Sequence, residues 1–252
     1  MRGLVSVPLL AVIAYFRKSL FIRIDWRNWR VILIRAFAEL ASTMLFLNAL
    51  AQMPLANVSA ILQSLPLTVT MFAAMFFGEA VGWRRWSAIL VGFIGVLIII
   101  RPGSDGFNEY AVLALIAVGF ITLRDAITRR LDRSVPSLFV AFVSAIPVFL
   151  FGGAMTVTTG WTPVSWSMGI IVTVAAISIS CGYLFAVMAM RIGDISFVAP
   201  FRYTGMIWAI LFGFLLFGNL PDQMTILGTC IVIGMGVYAF HRERVRQKAS
   251  AT

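Results

Sequence analysis

Arg35, Glu39, Arg124, Asp125 and Arg202 are ionisable residues set inside otherwise apolar runs of the chain. A charge in such surroundings is costly to hold, so groups of this kind face a polar cavity or a partner. Arg35 and Glu39 stand four positions apart, which on a helix puts them on one face and within pairing reach. Arg124 and Asp125 are adjacent. Their side chains leave a helix about 100° apart, so each is expected to pair with another helix rather than with its neighbour. Arg202 lies ~9 Å along its run at the helical rise per residue. The group sums to one net positive charge. Two readings fit it. One is a salt-bridge gate that opens and closes, with a preference for anionic or zwitterionic solutes at that level. The other is a set of static pairs, Arg35–Glu39 and Asp125–Arg202, with Arg124 reaching out to the interface.

Uncharged polar residues in the same runs are Asn48, Asn57, Gln63, Ser64, Tyr183, Tyr203 and Thr204. They suit either the lining of a solute pathway or ordinary hydrogen bonding between helices. Trp208 lies just beyond Tyr203 and Thr204 and could stack on a ring-bearing solute, or simply fill space. Small residues recur at every fourth position in Ala56, Ala60 and Ser64, in Ser178, Gly182 and Ala186, and in Gly205, Ala209 and Gly213. Such stripes let helix backbones approach closely in lipid and are read as packing faces. Pro66 and Pro200 fall within or at the start of long runs, where a proline frees a carbonyl and bends the axis.

Other chemistries lack their residues. The sequence has no Gly-rich phosphate loop with Lys and no Ser/His/Asp set. His241 is its only histidine, and Cys181 and Cys230 lie inside apolar runs as small packing residues. No enzyme, cofactor or metal centre is expected. A net charge of +10 invites a nucleic-acid partner, but the basic residues fall between apolar runs, where a membrane protein keeps its cytoplasmic charge.

The elements that must position these residues are membrane spans. Of the 252 residues, 61% are apolar, against ~45–50% in soluble domains. A bilayer core of ~30 Å takes about 20 apolar helical residues. Nine spans are expected, at Gly3–Phe16, Val31–Leu50, Val58–Phe77, Trp86–Ile100, Tyr110–Arg124, Val135–Phe151, Ser167–Met190, Ser196–Phe217 and Met224–Phe240. The first is read as a retained span rather than a signal peptide, since no small-x-small site precedes Arg17-Lys18. One set of connections carries Arg17, Lys18, Arg23, Arg27, Arg30, Arg84, Arg85, Arg129, Arg130, Arg133 and Arg191, and the tail adds Arg242, Arg244, Arg246 and Lys248. The other side holds Arg2 and Arg101. This asymmetry puts the C-terminus in the cytoplasm and the N-terminus outside, as alternation through nine spans also does.

A shift of 140 residues lays Phe72 on Phe212, Phe77-Gly78 on Phe217-Gly218, Ala49 on Ala189 and Gln63 on Tyr203. The basic turn after Gly78 and the acidic turn after Gly218 would then lie on opposite sides, the pattern of an inverted repeat. Under the same shift the second half has five spans and the first has four, so a leading helix is expected to be missing.

Short motifs recur along these elements: Asn48-Ala49-Leu50 to Pro54-Leu55-Ala56, Gly78-Glu79, Trp83–Trp86, Gly92–Val96 and Arg101-Pro102-Gly103. In the second half they are Leu123-Arg124-Asp125, Arg129-Arg130-Leu131, Ala199-Pro200-Phe201-Arg202-Tyr203-Thr204, Trp208-Ala209, Phe217-Gly218, Pro221-Asp222 and Gly228. In their order and spacing the chain resembles the EamA branch of the drug/metabolite transporter superfamily. The resemblance implies an all-α polytopic membrane protein of two inverted five-helix repeats, here with about nine transmembrane helices. Residues 1–103 would form the first repeat without its leading helix, 104–241 the second, and 242–252 a basic cytoplasmic tail. The family commonly has Phe-Gly-Glu in both repeats, whereas the second here reads Phe217-Gly218-Asn219.

The function implied is secondary transport of a small organic metabolite or drug across a bacterial-type inner membrane by alternating access. Its pathway would be drawn from Arg35, Glu39, Gln63, Arg124, Asp125, Tyr183, Arg202, Tyr203, Thr204 and Trp208. Within this class the alternative is an S-adenosylmethionine- or vitamin-type uptake permease. Outside it stands a truncated or mis-started chain, inactive or working only as an oligomer, for which a homodimer would complete the bundle. The expected partners are the solute and the lipid bilayer.

Overall fold

Proline and glycine positions set the helix ends and breaks. The computed structural model of the chain describes residues 2–19, 23–78, 81–102, 108–132, 134–160, 165–192 and 202–251, with no strand among them. Glu79, Gly103, Arg133 and the stretch Ser196–Phe201 that was expected to open the eighth span lie outside the described residues. In chain order the helices are α1 (Arg2–Phe16), α2 (Trp26–Gln52), α3 (Leu55–Leu62), α4 (Leu65–Phe76) and α5 (Trp83–Ile100). They continue with α6 (Glu109–Thr128), α7 (Ser137–Thr159), α8 (Trp166–Ile192), α9 (Thr204–Phe217) and α10 (Gln223–Ala251).

Among the described residues seven segments are long and apolar enough to cross a membrane, counting Leu55–Phe76 as one, and Gly3–Phe16 and Thr204–Phe217 are shorter apolar helices. Several helices outrun the expected spans, because hydropathy marks the lipid-facing part of a helix and not its end. The basic segment after Phe240 is the clearest case. It continues α10 to Ala251, since Arg, Gln, Lys and Ala are strong helix formers and no Gly or Pro intervenes. The span expected at Val58–Phe77 is interrupted at Gln63-Ser64. Pro66 has no N–H for the Leu62 carbonyl and its ring crowds that carbonyl. In the same turn Ser64 Oγ donates to the Ile61 carbonyl at 2.7 Å.

The chain forms two compact units whose boundaries fall inside α2 and α6. The first comprises Met1–Leu40 and Ile127–Gly193, the second Ala41–Ala126 and Asp194–Thr252. In the first unit α1 packs on α7 and α8. Their approach is close enough that a Cβ at Gly3 would come within 2.6 Å of Phe149 Cδ2. A core of Ile32, Leu131, Val135, Phe139, Val140, Ala141 and Val187 adjoins this contact, with Trp29 edge-on to Phe139 at 5.8 Å.

In the second unit α5 and α10 touch backbone to backbone. A Cβ at Gly95 would sit 2.8 Å from the Gly228 carbonyl, and one at Gly228 2.6 Å from that of Gly95. Around them Val58, Ile61, Leu67, Ile89, Val96, Val118 and Val232 form the core. In lipid this packing, rather than escape from water, is what holds helices together. Gly78 and Gly218, paired by the 140-residue shift, both have φ of +67°. They end α4 and α9 in the left-handed conformation that costs glycine least.

The small-residue stripes divide. Ala56, Ala60 and Ser64 are buried, as are Ala209 and Gly213, while Gly205 of the same stripe is exposed. Ser178, Gly182 and Ala186 are instead exposed, and α8 buries Ala176, Ser180 and Val187. That face won because it meets α1, where Ser6 Oγ donates to the Ala176 carbonyl at 3.4 Å. Four-residue spacing alone does not say which of two adjacent small-residue faces has a partner.

Candidate functional site

Arg35 belongs to the buried stripe of α2 that includes Ile32, Ala36 and the half-buried Glu39, while Leu33, Ile34 and Phe37 turn outward. This is the i, i+3, i+4, i+7 face of an amphipathic helix, and it buries a guanidinium that is only 2% exposed. Arg35 Nε donates to Thr128 Oγ1 on α6 at 2.9 Å. Nη1 donates to Ser144 Oγ on α7 at 2.5 Å and to the Tyr183 hydroxyl on α8 at 2.6 Å. The Tyr183 hydroxyl in turn donates to Glu39 Oε2 at 3.1 Å, and the Tyr183 ring centroid lies 5.3 Å from Arg35 Cζ. Arg35 and Glu39 share a face as their spacing predicts, with the tyrosine hydroxyl bridging them. All of these groups lie in the first unit.

The second unit holds a carboxylate between guanidiniums. Asp125 Oδ1 accepts from Arg124 Nε at 2.9 Å and faces its Nη2 at 2.8 Å, while Oδ2 accepts from Arg202 Nη2 at 2.9 Å. The Asp125 side chain is 6% exposed, that of Arg202 27%. The Asp125–Arg202 pair is as expected. The expectation that Arg124 and Asp125 would not pair with each other is corrected. Their Cβ atoms do diverge, but the arginine stem is long enough to curl its planar fork back onto the neighbouring carboxylate. Each oxygen thus meets its own guanidinium, the strong charge-assisted form of hydrogen bond.

The two residues related by the 140-residue shift meet in the second unit. Gln63 Nε2 donates to the Tyr203 backbone carbonyl at 3.4 Å. Tyr203 is 6% exposed, and its hydroxyl is buried with no hydrogen-bond partner. Thr204 is exposed at the start of α9. Trp208 is exposed and stacks on Phe212, with centroids 6.0 Å apart and rings 23° from parallel. Asn48 is exposed and Asn57 half-buried.

Sequence reasoning passed over Thr128 and Ser144, which anchor Arg35, and the buried Thr68–Thr122 hydroxyl pair at 2.6 Å. The one signal for Ser144 was a lone hydroxyl in the apolar run Phe142–Phe149, three residues before Pro147. At the other ends of α5 and α10, Arg101 pairs with Asp222, and Asp222 also accepts from the Thr225 backbone N–H at 3.3 Å as a helix cap. No group of three or more His, Cys, Asp or Glu side chains placed to hold a metal occurs among the described residues.

Comparison with known proteins completes the picture. The profile of the EamA-like transporter family matches residues 1–101 and 109–239. The S-adenosylmethionine uptake transporter of Rickettsia conorii is 26% identical over 192 residues, which are 76% of this chain and 65% of that protein. The riboflavin transporter of Vibrio cholerae is 28% identical over 230 residues, 89% of this chain and 76% of that one. The pseudopaline exporter of Pseudomonas aeruginosa is 25% identical over 209 residues, 81% and 72% respectively. This chain therefore spans about 65% of the length of the S-adenosylmethionine transporters it matches. A crystal structure of a protein 15% identical in sequence superposes with a TM-score of 0.66, covering 95% of this chain and 85% of that one, so the fold is shared.

Proposed function

Since this chain belongs to the EamA-like transporter family over both matched stretches, we propose that it is a secondary carrier. It would move a small organic metabolite across the inner membrane by alternating access between inverted repeats. The observation that carries this reading is the buried Arg35, held at membrane depth by hydroxyls from three other helices. An ionised group so placed is expensive, and its usual justification in a membrane protein is a solute or ion pathway. The equal φ at Gly78 and Gly218 supports the repeat.

On this reading Arg35, Glu39 and Tyr183 line the pathway in the first unit. In the second, Gln63, Tyr203, Thr204 and Trp208 line it, while Asp125, Arg124 and Arg202 form a latch that breaks and re-forms as the carrier changes state. Flux of a radiolabelled metabolite panel into vesicles containing the purified chain tests the proposal. Saturable uptake of at least one solute is expected, with most of it lost in Arg202→Ala and in Glu39→Ala while both variants remain folded. Unaltered flux in both variants would remove the gate, and absence of flux from folded protein would remove the carrier reading.

A narrower reading, an uptake permease of the S-adenosylmethionine or vitamin type, is favoured by what the Rickettsia and Vibrio relatives are named for. Unlabelled S-adenosylmethionine or riboflavin should then compete with the panel solute in the same vesicles.

A further inference from the structure

A guanidinium has five N–H donors. In Arg35 the Nε hydrogen goes to Thr128 and the two on Nη1 to Ser144 and Tyr183. The two on Nη2 have no acceptor among the described residues, and none of the ion pairs there includes Arg35. Its acceptors are neutral hydroxyls, and Glu39 is reached through Tyr183. Asp125 shows the contrast, since each of its oxygens has a guanidinium against it. Taking a cation out of water costs several kcal/mol, and a hydrogen bond to a neutral hydroxyl returns only part of that.

We propose that Arg35, with Ser144 beside it, is a binding site in the first unit for the carboxylate of the transported solute, a proposal that rests on the carrier reading. The Tyr183 ring lies against the guanidinium, its centroid 5.3 Å from Cζ, and carboxylates meet arginine along its edge. Ser144 Oγ accepts from Nη1 and keeps its own hydrogen to donate. A carboxylate, which only accepts, takes up Nη2 and that hydrogen together. Arg35 lies five positions beyond Arg30, the last residue of the basic connection, ~8 Å along the axis.

The test is thermal unfolding of the purified chain in lipid nanodiscs with matched acid and amide probes: benzoate with benzamide, nicotinate with nicotinamide, and glutamate with glutamine. At least one acid is expected to raise the melting temperature with concentration, its amide requiring about tenfold more for the same rise. Arg35→Gln should erase this preference. Ser144→Ala, which keeps the guanidinium, should weaken acid binding about threefold. Acids and amides that act alike on the parent protein would overturn the proposal, as would an acid preference that survives in Arg35→Gln. Because binding is read without flux, acid binding by a chain that transports nothing would sink the carrier reading and leave the site. Transport without any acid preference would sink the site alone.

Discussion

A tyrosine hydroxyl and a missing Cβ share one point in the second unit. Tyr203 is buried against Phe240, its hydroxyl lacks an acceptor, and a Cβ on Gly236 would overlap that hydroxyl. Gly236→Ala should therefore destabilise the protein. Overpacking of about 1–3 kcal/mol outweighs the ~1 kcal/mol that alanine gains over glycine inside a helix. Tyr203→Phe removes the clashing oxygen and a buried donor with nothing to donate to. Alone it should be neutral or stabilising by up to about 1 kcal/mol, and in the double variant it should recover only part of the loss, since the ring's Cζ still stands 2.6 Å from that Cβ. Melting curves of the three proteins in detergent decide it, and a Gly236→Ala protein as stable as the parent would show that the ring is seated elsewhere. At this scale the sequence was half legible. Helical spacing placed Arg35 and Glu39 on one face, and the 140-residue shift paired Gln63 with the residue it touches. The partners of Arg35 were not legible. Thr128 and Ser144 lie 93 and 109 positions away along the chain, and a lone hydroxyl in an apolar run does not say which helix will face it. The Arg124–Asp125 contact was misread because Cβ directions were applied to a side chain long enough to escape them.

At the level of elements, glycine reports which helix faces touch. Gly95 on α5 and Gly228 on α10 bring two backbones together, whereas a Cβ at Gly234, also on α10, would meet nothing within 4 Å. The two sites should respond oppositely to the same substitution. Gly95→Ala drives a methyl against the Gly228 carbonyl and should cost about 1–3 kcal/mol, while Gly234→Ala should be neutral or stabilise by up to ~1 kcal/mol through helix propensity. Chemical unfolding of the two variants in mixed micelles checks the sign of each, and equal losses would mean that the close approach is not what holds α5 to α10. Helices as such were easy to read, since long apolar runs bounded by Arg, Gly and Pro leave little else to form in lipid. Their ends were not, because a helix continues past the bilayer wherever its residues favour one, as in α10. Packing faces stood between these cases. The stripe through Ala56 and Ala60 is buried, but on α8 the contact with α1 went to Ala176 and Ser180 instead.

For the molecule as a whole, the strongest statement in the sequence is its charge asymmetry. Arg17, Lys18, Arg84, Arg129 and Arg130 stand at one set of helix ends, Arg101 and the acidic Asp222 at the other. Lys and Arg near the ends of short connections are retained on the cytoplasmic side during insertion, so each connection has an expected side that labelling can read one at a time. Cys181 and Cys230 are both exposed and free, so both must first be replaced by serine. Single cysteines then go in at Lys18, Arg130 and Arg242 for the basic set, and at Asn108 and Gly160 for the other. A membrane-impermeant maleimide added to intact cells should label Asn108→Cys and Gly160→Cys and reach the other three only after permeabilisation. Five independent positions make the outcome hard to reach by accident. Labelling of Arg242→Cys from outside, with the other four positions as expected, would mean that the short helix α9 (Thr204–Phe217) does not cross. A uniformly reversed pattern would mean that the basic set faces outward, which would leave the helix count standing and overturn the charge argument from which the orientation was drawn.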